Sequence, residues 1–394
     1  MTSITLQRTN IRKSSEEEIQ ELIDKNKAIY TQFYDSAYTD SMERNLFQPL
    51  NEVYFRAKMV NFEKYPEPMK NDKPLIFISN HSGMSFPWDA MVFGAALYAN
   101  SKKDNRPSIR PLTAPMLSET YLMSPYMIPY MWKRVGGIDA TSLNFETLMH
   151  FNEADVLIYP EGVPGIGKGF NRRYQLQRFS SSFVRMSLKH KTDVIPVSTI
   201  NAEYINPHSY RSKWLNNLVN KIGIPFFPLG ILTILMFIQP WVFYFGLPAN
   251  LIYVRGKRIR PYLMTDKDFE DLTMEELREI TEKVKAEMQI QLTEAADKYG
   301  QQPYKWGELF KAQLKKINRF WFFLPMFWPF LFAEHERQYK QFQKDGTPIN
   351  MNFGFFGFLW TLIRHAFSLF YFLPIIGWIP LLIRGYSKNG REDK

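Results

Sequence analysis

"IFISNHSGMSFPWDA", residues 76–90, joins an apolar run to a group of small polar residues that includes a histidine. The apolar run starts as "PLIFIS" at residue 74 and is typical of a strand buried on both faces of a sheet. The small polar residues indicate the turn at its carboxyl end. Because open α/β sheets bind their ligands at the carboxyl ends of the strands, we expect this turn to belong to a functional site.

Short apolar runs alternate with longer helical patterns between residues 74 and 200. This alternation predicts βαβ units and an α/β fold, with a largely parallel sheet flanked by helices. A further run after residue 249 looks like a returning strand. The predicted strands lie at 74–79, 108–114, 155–160, 193–199 and 250–256.

Two further segments have the period of an amphipathic helix. The first covers residues 14–35, with Ser before an acidic first turn and these apolar residues near one face: Ile19, Leu22, Ile23, Ile29, Tyr30 and Phe33. The second begins at Thr273 and Glu276, a candidate capping box, and continues with the apolar stripe Leu277, Ile280, Val284, Met288 and Leu292. We expect the second helix to pack on the core or on a partner.

The composition excludes several classes of protein and narrows the range of partners. The 394 residues include no cysteine, which rules out disulfides, thiolate nucleophiles and cysteine-ligated zinc and suits a reducing cytosolic setting. Residues 1–23 become acidic where a signal peptide would be apolar. The net charge of +10 predicts attraction to a polyanion: a membrane surface, a nucleotide-bearing substrate or a nucleic acid.

Three apolar, aromatic-rich tracts favour the membrane surface among these partners. Residues 224–254 carry no charge over 31 positions, but four prolines argue against a straight spanning helix. Residues 320–333 are too short to span unaided, and 353–383 divides at Arg364 and His365. Such segments are typical of interfacial or re-entrant elements. Two alternatives stay open: the first tract as buried core, and the third as a true spanning helix.

A histidine and an aspartate follow the first apolar run. His81 comes directly after the strand, and Asp89 lies behind Pro87, which suits the first turn of a helix that continues as "PWDAMVFGAAL". We therefore expect Asp89 near a helix start, within reach of the strand tip. A lone histidine is more often structural, but a histidine oriented by a carboxylate is a candidate general base for a hydroxyl group.

A second group of candidate residues follows the strand predicted at 155–160. The strand ends in Pro-Glu-Gly (160–162), and residues 164–191 then include seven Lys or Arg and no acidic residue. Three glycines in this stretch let backbone amides approach an anion closely. The stretch lacks the Gly-Lys-Ser/Thr ending of a nucleotide-binding P-loop. A solvated basic face is the alternative interpretation.

Together these two stretches resemble the phospholipid/glycerol acyltransferase superfamily, the lysophosphatidate acyltransferase-like enzymes. After the histidine and aspartate, the resemblance rests on "RVGGIDATSLN" (134–144), "YPEGVPG" (159–165) and "IPV" (195–197) as the second, third and fourth blocks of the family. It covers residues 52–260, about half of the chain. It implies an O-acyltransferase in which the acceptor's hydroxyl attacks an acyl thioester directly, so no protein nucleophile is needed.

The resemblance also implies roles for individual residues. His81 would be the general base, Asp89 the carboxylate that orients it, and Glu161 and Gly162 part of the block that holds the acyl acceptor. Further candidate substrate-binding residues are Asn80, Ser82, Gly83, Lys168, Arg172 and Arg173. We expect no cofactor and no metal site.

The sequence departs from the family pattern in three places. Seven residues separate His81 from Asp89 where the family has four, and the position with the usual spacing is Phe86. The second block has no arginine after "GGI", and the third has Val163 and Pro164 in place of threonine and arginine. Because arginine grips phosphate through two hydrogen bonds, these departures count against glycerol phosphate as the acceptor. The basic residues after the third block are candidate substitutes, or candidates for the phosphates of the acyl donor.

The predicted function is transfer of a fatty acyl chain from acyl-CoA or acyl carrier protein to the hydroxyl of a lipid acceptor, a glycerolipid or a related alcohol. The protein is expected on the cytoplasmic face of a membrane surface. The predicted regions are an N-terminal amphipathic helical region (1–51), an acyltransferase domain (52–260) with the apolar insert 224–254, a helical extension (261–319) and an aromatic-rich membrane-associated region (320–394).

Two other functions are alternatives to this one. A non-catalytic peripheral lipid-binding membrane protein would use the basic face and the aromatic tracts without the histidine. A nucleic-acid binder would explain the net charge but neither the apolar tracts nor the pairing of His81 with Asp89. We therefore expect no nucleic-acid partner.

Overall fold

A computed structural model describes residues 16–67, 73–84, 86–103, 108–119, 121–221 and 226–385 of the chain. Over these ranges the protein has a mixed α/β fold built on a mostly parallel sheet flanked by helices, which confirms the predicted fold class. The strands are β1 (Lys58–Val60), β2 (Ile76–Ser79), β3 (Ser108–Thr113), β4 (Ile138–Asp139), β5 (Ala154–Ile158), β6 (Val194–Ile200), β7 (Tyr210–Arg211), β8 (Pro228–Leu229) and β9 (Ile252–Arg255).

The main sheet of the described ranges has seven strands in the order β1-β9-β6-β2-β5-β3-β4, and β7 pairs with β8 separately. Its neighbouring strands are parallel except β6 and β9, which are antiparallel. The five predicted strands are confirmed as β2, β3, β5, β6 and β9. The sequence missed β1 and β4 because strands of three and two residues are too short to show a periodic pattern.

Helices cover both faces of the sheet and make up most of the chain after it. They are α1 (Glu16–Lys25), α2 (Ser36–Met42), α3 (Gln48–Leu50), α4 (Trp88–Lys103), α5 (Met116–Glu119), α6 (Met131–Arg134), α7 (Ser142–Phe151), α8 (Val163–Ile166), α9 (Ser182–His190), α10 (Lys213–Asn220), α11 (Ile231–Ile238), α12 (Met274–Tyr299), α13 (Trp306–Lys315), α14 (Trp328–Asp345), α15 (Gly354–Arg364) and α16 (Trp378–Gly385).

The sheet separates two hydrophobic cores because successive side chains of a strand point to opposite faces. Phe77 of β2 and Ile195 of β6 belong to a core rich in aromatic rings, which also includes Trp88 of α4. Ile76 and Val194 belong to the second core, which α7, α9 and α12 cover. The central strands are therefore buried on both faces, as the unbroken apolar runs predict.

The N-terminal amphipathic helix is shorter than the predicted span of 14–35. α1 ends at Lys25 and a 3₁₀ turn, Asn26–Tyr30, follows, in which the Asn26 amide donates hydrogen bonds to two side chains of α7 (2.9 Å each). Because a 3₁₀ turn has three residues rather than 3.6, the apolar stripe does not stay on one face. Of the predicted stripe, Ile23 and Tyr30 are buried, whereas Ile19, Leu22 and Phe33 are exposed. Positions 14 and 15 lie outside the described residues.

The predicted capping box and stripe of α12 are confirmed. The Thr273 hydroxyl accepts a hydrogen bond from the Glu276 backbone N–H (3.2 Å), and the Glu276 carboxylate accepts one from the Thr273 backbone N–H (2.9 Å). The stripe residues Leu277, Ile280, Val284, Met288 and Leu292 are all buried. This helix is therefore a structural element packed against the sheet.

The apolar tract at 224–254 divides into an exposed part and a buried part. On α11, Ile231 and Ile234 are each about two-thirds exposed, whereas Trp241 and Tyr244 in the following turn are buried in the aromatic core. Buried core therefore accounts for only the second part. Among the described residues no single helix is long and apolar enough to cross a bilayer. α15 and the 3₁₀ helix Ala366–Phe372 reach that length and composition only as a pair, which is bent by 71°.

The predicted C-terminal region packs into the aromatic core. Trp328, the first residue of α14, is fully buried, with its ring 4.9 Å from that of Trp88 and 4.8 Å from that of Tyr54. The core therefore crosses the boundary expected at residue 320. The division into four regions stays a prediction.

Candidate active site

Three neighbouring parallel strands bring polar residues to one edge of the sheet. β2 lies between β5 and β6, and the three strands are followed closely by His81, Glu161 and Glu203 respectively. Carboxyl ends of parallel neighbours meet at the same edge. The topology therefore assembles a site from residues that are up to 122 positions apart in the sequence.

His81 and Asp89 are in direct contact at this edge. The Nδ1 atom of His81 lies 2.7 Å from Oδ2 of Asp89, which is fully buried and is the second residue of α4. The same oxygen accepts a hydrogen bond from the backbone N–H of Ser82 (3.1 Å). The first turn of a helix is a favourable position for a carboxylate. Because the carboxylate occupies Nδ1, Nε2 is the ring nitrogen available to accept a proton from another group.

The loop between the two residues explains the unusual spacing. Phe86, at the position where the family has its aspartate, is buried among the rings of Trp88, Trp132 and Tyr244 rather than against His81. Gly83 has a φ of +121°, and a Cβ there would lie 3.3 Å from the backbone oxygen of Ala202. A turn through glycine thus accommodates the extra residues, and Asp89 reaches the imidazole from the helix start.

Glu161 holds the backbone of the histidine. Its carboxylate is buried and accepts hydrogen bonds from the backbone N–H of His81 (3.0 Å) and from that of Gln177 (2.6 Å). It therefore connects the carboxyl end of β5 to the turn after β2 and to the loop before α9. A direct contact of Glu161 with an acyl acceptor stays a prediction.

A large cavity opens beside this pair. Its volume is about 1580 Å³, and its wall includes His81, Glu161 and the exposed Gly162. Most of the other wall residues are apolar, among them Leu232 of α11 and Leu381 of α16. A cavity of this size and character can enclose a long hydrocarbon chain and keep water away from the imidazole.

These positions fall within a recognised family. Residues 59–200 match the model of the family described as Acyltransferase, the phospholipid/glycerol acyltransferases. Residues 59–200 form an acyltransferase domain. The match includes the histidine, the aspartate and the Pro-Glu-Gly segment, so it confirms the family to which the sequence motifs point, and it supports acyl transfer as the general type of reaction.

The curated proteins similar in sequence to this chain have no assigned function. Uncharacterized proteins of Mycobacterium tuberculosis and Mycobacterium bovis are each 27% identical to the chain over 197 residues, which is 50% of this chain and 51% of theirs. An uncharacterized protein of Mycobacterium leprae is 25% identical over 50% of this chain and 49% of its own length. The chain thus spans about half the length of the curated relatives it matches.

Two of the predicted substrate-binding residues of the acyltransferase domain lie beneath the histidine rather than in the cavity wall. The buried Asn80 amide accepts a hydrogen bond from the backbone N–H of Thr199 (2.7 Å) and donates one to its carbonyl (2.9 Å), which ties β2 to β6. The Ser82 hydroxyl donates to Glu203 (2.8 Å). These bonds fix the turn that carries His81. Substrate contacts of Asn80, Ser82 and Gly83 stay predictions.

The basic stretch of the acyltransferase domain divides into a buried and an exposed part. Lys168 is buried, with its Nζ atom 3.5 Å from Oε1 of Glu203. Arg172 and Arg173 are exposed, and neither belongs to the cavity wall. For these two, the solvated-face interpretation fits the structure as well as the binding interpretation, and substrate contact of all three stays a prediction.

Sequence analysis missed two residues that contact the site. The Tyr159 ring packs 4.6 Å from the imidazole of His81, and burial, followed by the nearby charge of Asp89, raises the pKa of its hydroxyl, which therefore stays neutral. Glu203 supports Ser82 and pairs with Lys168. The sequence contains a signal that could have identified both residues, because each lies within three positions of the carboxyl end of a parallel strand.

Proposed function

We propose that the protein transfers a fatty acyl chain from acyl-CoA or acyl carrier protein to the hydroxyl group of a lipid, a glycerolipid or a related alcohol. The observation that carries this proposal is that His81, in the wall of a large apolar cavity, is paired through Nδ1 with the buried carboxylate of Asp89. The pair supplies a base, and the cavity supplies room for an acyl chain next to that base.

The chemistry follows from the geometry of the pair. Nε2 of His81 takes the proton of the acceptor's hydroxyl as its oxygen attacks the thioester carbonyl. The tetrahedral intermediate then breaks its carbon–sulfur bond, the ester forms, and the departing thiolate receives the proton from the imidazolium. Asp89 stabilises the imidazolium between these steps and keeps the neutral ring in the tautomer that leaves Nε2 free.

The cavity wall supports a lipid as the acceptor. Leu232 and Met236 of α11 and Leu381 of α16 line the cavity, while Ile231 and Ile379 of the same two helices are exposed. Two helices therefore separate the cavity from an apolar outer surface. A lipid that moves from a membrane into this cavity stays in contact with apolar groups along its path, which keeps the desolvation cost of the transfer low.

We also propose that the protein works on the cytoplasmic face of a membrane. The net charge of +10 and the exposed apolar side chains of α11, α15 and α16 support this location. Apolar insertion is insensitive to salt, whereas charge attraction is screened by it. We therefore expect the protein to sediment with membranes in high salt. Complete release by salt alone would contradict insertion of the apolar side chains.

An acyl-transfer assay with the 394-residue protein tests the proposed function. Radiolabelled acyl-CoA and acyl carrier protein would each be supplied with phosphorylated and with neutral lipid alcohols, and His81→Ala protein would serve as the inactive control. We expect ester formation with at least one pair of substrates and its loss in the variant. Lipid binding without ester formation, equal for both proteins, would instead support the alternative of a non-catalytic peripheral lipid-binding membrane protein.

A further inference from the structure

A buried glutamate lies at the bend of the C-terminal apolar segment. Glu334 of α14 accepts hydrogen bonds from Arg364 at the end of α15 (3.0 Å) and from Nε2 of His365, the next residue (2.7 Å). Arg337 binds the same carboxylate through two nitrogens (2.7 and 3.0 Å). Although burial raises the pKa of Glu334, these hydrogen bonds hold it well below its ordinary value, so the group is ionised. The bend of 71° between α15 and the 3₁₀ helix Ala366–Phe372 coincides with this cluster.

The arms on either side of the bend are too short to cross a bilayer. α15 has 11 residues and the 3₁₀ helix has seven. At 1.5 Å per residue, α15 is roughly 16 Å long, about half of the hydrocarbon thickness of a bilayer. A straightened pair would be long enough, but it would have to separate Arg364 and His365 from Glu334 and carry the charge of Arg364 and the polar ring of His365 into hydrocarbon.

The end of the segment returns to the acyltransferase domain. A Cβ on Gly385, the last residue of α16, would lie 3.2 Å from the Cβ of Leu122, which precedes the second block of the domain. Before that, the backbone N–H of Ile375 donates a hydrogen bond to the carbonyl of Ile238, the last residue of α11 (3.0 Å). At the other end, the ring of Phe353, just before α15, packs 5.4 Å from that of the buried Trp321. Both ends of the segment 354–385 therefore lie on the body of the protein. A spanning segment would place its ends on opposite sides of a membrane.

The outer surface of this segment is apolar and has a basic border. Along 354–383 the exposed large hydrophobic side chains are Phe355, Phe356, Leu359, Trp360, Ile363, Phe367, Leu369, Phe370, Leu373, Ile375, Ile376, Ile379, Leu382 and Ile383. Phe320, the residue before Trp321, packs its ring 6.2 Å from that of Phe355. Residues 305–319, which lead directly into Phe320, add exposed Trp306, Phe310 and Leu314 together with five basic residues and one acidic residue. An apolar patch of this extent beside cationic groups matches an anionic lipid surface.

We propose that residues 354–383 form a re-entrant wedge that inserts into one leaflet of an anionic membrane, and that Glu334 keeps the wedge from spanning by holding Arg364 and His365 at its bend. The inference deepens the membrane location of the proposed function and rests on it. It assigns the exposed apolar surface to lipid, and it places the cavity wall formed by α11 and α16 against the same leaflet, because Ile375 and Ile238 connect the wedge to α11.

The absence of cysteine from the sequence allows a direct test by single-cysteine labelling. Phe356→Cys and Ile383→Cys report on the wedge, Arg384→Cys on its exit, and Lys344→Cys on the exposed end of α14. Each protein would be added to the outside of sealed vesicles of phosphatidylcholine and phosphatidylglycerol and treated with a membrane-impermeant maleimide. We expect labelling at 356 and 383 to slow by about tenfold or more on vesicle binding, because hydrocarbon shields the thiol from water. Labelling at 344 and 384 should stay unchanged.

A charge substitution tests the role assigned to Glu334. Glu334→Gln removes the ionic anchor of the bend, and Glu336→Gln is the matched control, because Glu336 lies on the same helix and binds an arginine, Arg134, that is not part of the wedge. We expect vesicle affinity to fall by about tenfold in the first variant only, since loss of the carboxylate removes the ionic contact that holds Arg364 and His365 at the bend. Thermal unfolding of both variants would show that each remains folded.

The outcomes separate this inference from the proposed reaction. Protection of residue 384 until the vesicles are dissolved in detergent would show a spanning segment and overturn the wedge. Unchanged labelling at 356 and 383, or no binding to vesicles, would overturn lipid as the partner of this surface. An equal fall in affinity for the two glutamate variants would overturn the role of Glu334. The labelling pattern is expected to be the same in His81→Ala protein, so a failure to detect acyl transfer bears on the reaction alone.

Discussion

Three histidine–carboxylate pairs in the described part of the chain have nearly the same geometry and different surroundings. His81 lies 2.7 Å from Asp89, His190 lies 2.8 Å from Glu146, and His365 lies 2.7 Å from Glu334. Of these histidines only His81 belongs to the cavity wall. A short distance between an imidazole and a carboxylate therefore does not identify a general base. Access of the second ring nitrogen to a space where a substrate fits is what distinguishes the first pair.

The carboxylates also differ in the cations that they bind. Glu146 is bound by Lys189 as well as His190, and although burial raises its pKa, these two hydrogen bonds lower it to about 2. Glu334 is bound by Arg337 and Arg364. Asp89 receives hydrogen bonds from an imidazole and a backbone amide, and its Oδ1 atom has no hydrogen-bond partner among the described residues. Its negative charge is thus available to stabilise an imidazolium, whereas the other two are already balanced by lysine or arginine.

The largest expected effect is the loss of turnover in His81→Ala. A positioned general base contributes roughly 10² to 10⁴ in rate, so we expect kcat for acyl transfer to fall by at least about a hundredfold. His190→Ala is the control, because it removes the same side chain from a pair outside the cavity and should leave kcat within about threefold of the wild type. Equal losses of kcat in the two variants would show that the substitutions act through the stability of the fold rather than through catalysis. Circular dichroism of both variants would detect such unfolding.

The second expected effect is a partial loss in Asp89→Asn, which keeps the shape of the side chain and removes its charge. We expect kcat to fall by about tenfold to a hundredfold, because the imidazolium loses its counter-charge and the tautomer is no longer fixed. The double variant with His81→Ala should be little worse than His81→Ala alone, since the pair acts as a unit. Full activity of Asp89→Asn would mean that another group orients His81, or that His81 is not the base.

Most of the sheet could be predicted from the sequence because its central strands are buried on both faces. Such strands appear as unbroken apolar runs, and the site residues directly follow them, as His81 and Glu161 do. The edge strands β1 and β4 left no pattern at three and two residues. The difference between the two groups is one of length and burial.

The site could be predicted less completely than the sheet. The pairing of His81 with Asp89 across seven residues was expected from the helix start at Pro87, and the structure brings the two into contact. The burial of Lys168 against Glu203 was not expected, because ion pairs between distant segments depend on how loops pack above the sheet. A glycine-rich basic stretch looks the same in sequence whether its cations face solvent, a ligand or a buried carboxylate.

The smallest expected effect concerns His335, a histidine that has no carboxylate partner among the described residues and so extends the comparison to a fourth environment. It is buried in α14, with Nε2 2.8 Å from the Ser41 hydroxyl, and burial, followed by the charge of Arg134, lowers its pKa to about 3. An unfolded histidine has a pKa of about 6.5, so the unfolded chain binds more protons below that pH and the folded state loses stability as the pH falls. Between about pH 7 and pH 5.5 this one group should remove about 1.3 kcal/mol from the free energy of unfolding.

His335→Gln keeps a hydrogen-bonding group near Ser41 but does not titrate, so urea unfolding of this variant should show a pH dependence that is smaller by that amount. An identical pH dependence for the variant and the wild type would mean that His335 is protonated in the folded protein. Burial would then not determine the charge state of this histidine, and the surroundings of a histidine would be a weaker guide to its behaviour than the comparison with His81 assumes.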